Sequence, residues 1–177
     1  MSDSQTADKR VILRANEINQ KIRRIAYEIY ERNFEVGQLI VAGIEDRGYA
    51  LAQRIADHLN EISHFRYEED SLRLIKIELE KFTKKQCDVA LNCPLDELDH
   101  KNIVLVDDVL NTGRTLAYSM RPIVERDIHQ LEIAVLVNRS HSKFPVVASY
   151  TGYELATTLE EHIEVVLDGI RDAVYLR

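Results

Sequence analysis

Two adjacent carboxylates, Asp107 and Asp108, are followed within a few residues by Asn111-Thr112-Gly113-Arg114-Thr115. At neutral pH such a pair accepts hydrogen bonds and can hold a hard divalent cation. A glycine turn flanked by hydroxyls at the start of a helix does the opposite: its backbone N–H groups, helped by the helix dipole, hold an anion. Placed side by side, the two devices suit a sugar phosphate, with the acids taking ribose hydroxyls and the turn taking the phosphate. Thr112 and Thr115 would add hydroxyl donors, while Arg114 is free to point outward. Asn111, directly before the Thr-Gly pair, cannot serve as a general base at neutral pH.

Elements must bring these groups to one place. Ile103-Val104-Leu105-Val106 is the apolar run of a strand buried on both faces, and it delivers the acids at its carboxyl end, where open α/β sheets leave their ligand crevice. The amphipathic stretch Leu116 to Val124 supplies the helix after the turn, with Pro122 expected to kink or shorten its last turns. Gln38 to Ile44 is a second buried strand; after Glu45-Asp46-Arg47-Gly48, residues Leu51, Ala52, Ile55, Leu59 and Ile62 recur at helical spacing. That is half of a βαβ unit, and its loop should open on the crevice of Asp107. Leu131 to Val137 is a third buried strand. Ser71 to Leu79 alternates as a half-exposed one, and Asn16 to Asn33 is a packing helix with Arg23 and Arg24 on its solvated face. Val11-Ile12-Leu13, Val146 to Tyr150, Ile163 to Leu167 and Ala173 to Leu176 suggest short edge strands. The expected class is α/β, a mostly parallel central sheet flanked by helices, in a single domain over residues 1–177.

The stretch Val104 to Thr115 resembles the phosphoribosyl diphosphate (PRPP) motif of type I phosphoribosyltransferases, and its Gly-Arg-Thr ending is most similar to the PyrR branch, pyrimidine-operon regulators with uracil phosphoribosyltransferase activity. The resemblance implies that fold, with a small hood and flap region. It implies transfer of phosphoribose from PRPP to a nucleobase with release of pyrophosphate, Mg²⁺ carried with PRPP and also reaching Asp107 and Asp108, and a homodimer or higher oligomer. Gly43-Ile44-Glu45-Asp46-Arg47-Gly48 is similar to the family's pyrophosphate loop, so Asp46, Arg47 and Gly48 are expected at the diphosphate, through an unusual cis peptide. The chain departs from the family there: Glu45-Asp46 replaces a Lys-Thr or similar pair, and carboxylates would repel a diphosphate unless Mg²⁺ intervenes. The flap resemblance puts Lys81, Lys84 or Lys85 at the pyrophosphate, although a solvated hairpin tip has the same composition and the branch's Tyr-Arg-Asp-Asp is missing. Arg139 and His141 match the family's segment bordering the base, whereas Asn138, Ser140 and Ser142 do not. Oxopurine relatives carry an acid at the position of Asn111, which favours uracil here.

Composition narrows the alternatives. A net charge of -7 argues against broad nucleic-acid binding, so an RNA-binding attenuation regulator is the second expectation and a purine phosphoribosyltransferase the third. A weakly catalytic PRPP-fold protein is a further one. No stretch approaches a membrane span and Met1 to Arg10 is polar, so no membrane partner and a cytoplasmic location are expected. Cys87 and Cys93 have the spacing of neither a redox pair nor a zinc knuckle.

Overall fold

A computed structural model describes residues 9–80, 88–139, 143–156 and 161–177. In chain order the elements are β1 (Arg10–Arg14), α1 (Ala15–Asn33), β2 (Leu39–Ile44), α2 (Glu45–Ile62), β3 (Leu72–Leu79) and β4 (Val89–Leu91). A 3-10 turn at Leu95–Leu98 leads to β5 (Asn102–Leu110), α3 (Arg114–Val124), β6 (Gln130–Asn138), β7 (Tyr150–Glu154), β8 (Ile163–Val166) and β9 (Ala173–Leu176). Six strands form one sheet in the order β4-β3-β2-β5-β6-β7, parallel except for β4. The expected α/β class holds.

Alternation along the central strands explains the layering. Val41, Val104 and Val106 face α1 and α2, packing with Ile18, Ile22, Ile25, Leu51, Ile55 and Leu59; Ala42, Ile44, Leu105 and Val135 face α3 with Leu116 and Ile123. Every residue of β2 is buried, as a parallel strand covered on both faces requires. Pro122 lies inside α3, which closes two residues later at Val124.

Three expectations fail. β1, β8 and β9 do not edge the main sheet; they form their own antiparallel sheet in the order β1-β9-β8, pairing the two ends of the chain. Residues 146–149 are not strand, and β7 begins only at Tyr150. Phe144 and Val146 instead fold back against Gly113. Arg24 does not simply face solvent: it donates to the carbonyls of Thr151 (3.0 Å) and Gly152 (2.8 Å), tying α1 to β7.

The small sheet is moored to α2 by a two-pronged pair, with Arg54 donating to Asp172 at 2.5 and 3.1 Å while the Gly169 N–H donates to the same carboxylate at 2.8 Å. At the amino ends of the main strands a polar chain does similar work. Asn33 donates to Glu132 (2.9 Å), and Asn102 donates to Asn33 (3.0 Å) and to Gln130 (3.2 Å), its register partner on β6. Among the described residues no helix is long and apolar enough to cross a membrane. Cys93 is a free, half-buried thiol, and Cys87 lies outside the described residues.

Candidate active site

β5 does not stop at its apolar run; it carries Asp107 and Asp108 within the ladder and ends at Leu110. Asp107 is buried, its carboxylate accepting the Asp108 N–H at 2.9 Å, and Asp108 accepts the Val109 N–H at the same distance. Arg47 reaches toward Asp108 with a guanidinium nitrogen 3.9 Å from Oδ2. Burial, and then the neighbouring charge of Asp108, push the Asp107 carboxyl well above the usual carboxylate range. Burial raises Asp108 as well, opposed by its hydrogen bond with Asp107 and by Arg47. Two carboxyls stripped of water side by side are poised to take up hydroxyl donors or a cation, either of which relieves the penalty.

The turn after β5 is held in a fixed shape. Gly113 caps α3 with φ 79, a left-handed conformation that side-chain-bearing residues adopt only with strain. The Thr112 hydroxyl accepts the Arg114 N–H at 3.3 Å. From behind, the N–H groups of Lys143 (2.8 Å) and Phe144 (3.1 Å) both donate to the Thr112 carbonyl, fixing the turn. Arg114 turns outward over the ring of Tyr118, 5.6 Å from its centroid, and Thr115 is half-buried in the first turn of α3.

The second turn, after β2, differs from the expected loop. Glu45, Asp46, Arg47 and Gly48 already form the first turn of α2, with Glu45 at φ 51, and no cis peptide occurs among the described residues. Gly48 makes this possible, because a Cβ there would stand 2.7 Å from the Val106 carbonyl oxygen on β5. The two acids are tied sideways to β3. Glu45 accepts the Leu79 N–H at 2.7 Å, and Asp46 pairs with Lys76 at 2.8 Å, which holds the Asp46 carboxyl below its ordinary range. Lys76 also lies 3.1 Å from Glu78.

Between the two turns and the small sheet is a cavity of about 160 Å³ lined by Arg47, Asp108, Val109, Asn111, Arg139, His162 and Ile163. Arg139 is 4% exposed; its N–H donates to Leu110 and its guanidinium to the Asn111 side-chain oxygen at 3.2 Å. A larger hollow of about 340 Å³ lies at the other end of the sheet, among Gln38, Arg73, Glu97 and Lys101, away from the acids. The structure thus brings together Arg47, Asp108, Asn111 and Arg139. Lys81, Lys84, Lys85 and His141 fall outside the described residues. His162 and Ile163 escaped sequence reasoning because they reach the cavity from the entry to β8 of the small sheet, a neighbourhood that local pattern does not encode.

Among the described residues no three His, Cys, Asp or Glu side chains are grouped to hold a metal. Two acids do suit Mg²⁺, which keeps several waters and completes its shell with substrate oxygens.

Residues 10–168 match the phosphoribosyl transferase domain family. The Bifunctional protein PyrR of Bacillus cereus (strain B4264) is 34% identical over 163 residues, covering 89% of this chain and 90% of its own. PyrR of Bacillus anthracis (strain CDC 684 / NRRL 3495) shows the same identity and coverage. Among solved structures, the hypoxanthine phosphoribosyl transferase of Trypanosoma cruzi superposes with TM-score 0.75 at 16% identity, covering 95% of this chain and 91% of that one. That of Staphylococcus aureus gives 0.70 at 17% identity, with 89% and 85% covered. At these identities the likeness concerns the fold.

Proposed function

We propose, from the premise that this chain belongs to the phosphoribosyltransferase family, that it transfers the phosphoribosyl group of PRPP to uracil. The observation that carries the reading is the acid pair of β5, Asp107 buried and Asp108 lining one small cavity together with Asn111, the residue that leads into the glycine-capped turn. The reaction breaks the bond between the anomeric carbon and the diphosphate, which leaves with the electron pair. It forms a bond from that carbon to N1 of uracil, whose proton passes to solvent.

Positive charge grows on the ribose and negative charge on the leaving group, so catalysis is electrostatic and positional. Asp107 and Asp108 accept the ribose hydroxyls and would hold Mg²⁺ where the sugar and diphosphate meet; the ion, when bound, neutralises charge developing on the leaving group. The turn of Asn111, Thr112, Gly113, Arg114 and Thr115 takes the 5′-phosphate. Diphosphate lies at the first turn of α2, against the N–H groups of Asp46, Arg47 and Gly48 and the Arg47 guanidinium, with Lys81, Lys84 or Lys85 closing over it. Arg139 and His141 border the base.

Asn111 favours a pyrimidine. Its side-chain oxygen already accepts from Arg139, and its amide nitrogen offers N–H donors to a ligand. Such a group answers a base carbonyl and cannot manage the proton that an oxopurine ring nitrogen presents. The chain acts as a single domain, assembles as a homodimer or higher homo-oligomer and serves pyrimidine salvage, with RNA-linked regulation and purine salvage as the competitors.

Pyrophosphate release from PRPP is the test, measured with Mg²⁺ against uracil, hypoxanthine, guanine, xanthine and orotate. Release with uracil alone is expected. Turnover of hypoxanthine in its place would move the protein to purine salvage. Salt-sensitive RNA binding without any turnover would favour the regulator.

A further inference from the structure

The acids at the first turn of α2 pose a problem that β3 answers. Glu45 and Asp46 sit where the proposed diphosphate must arrive, yet neither side chain is left to face it. Glu45 is consumed by the Leu79 N–H, and Asp46 leans on Lys76. Lys76 is the register partner of Gly43, two residues before the turn, on the strand flanking β2 opposite β5. Its ammonium therefore stands on the far side of that turn from Arg47, which reaches toward Asp108 on β5. The first turn of α2 thus has two cations beside it, Lys76 held to Asp46 from β3 and Arg47 leaning toward β5.

The partners of Lys76 are weak holders. The Asp46 side chain is 93% exposed and that of Glu78 63% exposed, against 26% for Lys76, so both carboxylates meet the ammonium from the solvent side, where ion pairs contribute little to stability. A lysine ammonium is a mobile point charge on a flexible stem, able to exchange one anionic oxygen for another without rebuilding the backbone. A magnesium-bound diphosphate at the helix terminus offers more charge than one carboxylate, and Lys76 can transfer to it.

We propose that Lys76 is the second cation of the diphosphate subsite, with Asp46 the competitor that occupies it until substrate arrives. The proposal rests on the reading of the chain as a PRPP enzyme. It accounts for the Glu45-Asp46 departure: the positive charge has been moved from the turn to the adjoining strand, and the acids in the turn hold that charge and the end of β3 in place.

Calorimetric titration of the full chain with Mg²⁺–PRPP, Mg²⁺–pyrophosphate and ribose 5-phosphate separates the contributions. Lys76→Ala is expected to weaken PRPP and pyrophosphate about tenfold to a hundredfold, the weight of a charge-assisted hydrogen bond, while leaving ribose 5-phosphate and the melting temperature unchanged. Lys76→Arg should recover most of the loss, and Asp46→Asn, which keeps the backbone donors, should tighten pyrophosphate binding several-fold. Wild-type PRPP affinity in Lys76→Ala overturns the proposal, as does equal weakening of ribose 5-phosphate or a loss of affinity in Asp46→Asn. Should the wild-type protein bind none of the three ligands, the parent reading fails and takes this one with it.

Discussion

Two strand-to-helix turns open at the same end of one sheet, and they are built on opposite plans. The turn from β5 into α3 carries one charged side chain, Arg114, turned outward over Tyr118, and is braced from behind, with two backbone donors on one carbonyl and a left-handed glycine at the cap. The turn from β2 into α2 is crowded with charge, holding Glu45 and Asp46 by side-chain contacts to β3 and Arg47 by a long contact to β5. Backbone bracing suits a group that stays in place through the reaction, as the 5′-phosphate would. Exchangeable ion pairs suit a group that must be captured and then released, as pyrophosphate would.

The largest effect is expected at the wall the two turns share. Asp108→Asn should lower kcat/KM by roughly two to three orders of magnitude with little loss of stability, since a buried amide is easier to desolvate than a buried carboxylate. Steady-state kinetics beside a thermal melt will decide it, and activity within tenfold of wild type would break the comparison. The two glycines sharpen it next. An added methyl at Gly48 meets a backbone carbonyl that cannot step aside, so Gly48→Ala should cost roughly 1–3 kcal/mol. At Gly113 the new Cβ meets the Val146 side chain at 3.3 Å and the main penalty is the backbone angle, about 1–2 kcal/mol. Urea unfolding that ranks them the other way would show the β5 turn to be the tighter fit.

The smallest effects are in pH, and they have opposite signs in two places. The native Asp107 and Asp108 pair holds protons that an unfolded aspartate has lost above the ordinary 3.8. Its contribution to stability is complete below that value and disappears as pH rises through the raised native values. Arg54 lowers Asp172, whose contribution is present above 3.8 and disappears as pH falls through its native value. Melting curves of Asp107→Asn and Asp172→Asn across pH should flatten opposite limbs of the profile. Mg²⁺–PRPP binding should also release protons from the acid pair, detectable as heats that change with buffer ionisation.

The central layer was legible in the sequence because two-sided burial leaves an unbroken apolar run, as in Ile103 to Val106, and one-sided burial leaves a helical repeat, as in Ile18 to Ile29. The acids and the glycine turn were legible for the same reason, lying next to such a run. Long-range pairing was not. Nothing local in Val11-Ile12-Leu13 says that its partner is the end of the chain, and nothing in Phe144 or Val146 says that they close on Gly113 instead of joining a sheet. Arg24 has the composition of a solvated face, and its acceptors lie on β7. The contacts of Glu45 and Asp46 with β3 likewise bridge segments far apart in sequence.

The polar chain of buried Asn33, Asn102 and Glu132 with exposed Gln130 acts at a distance. It anchors the first residue of β5, and Asp107 follows five residues later, roughly 16 Å along a parallel strand. Sliding β5 by one residue would break that anchor and turn each acid to the face opposite its own. A polar clasp at the quiet end of the molecule is thus a ruler for its chemistry, and substitutions there should be felt as misplaced carboxylates at the other end of the sheet.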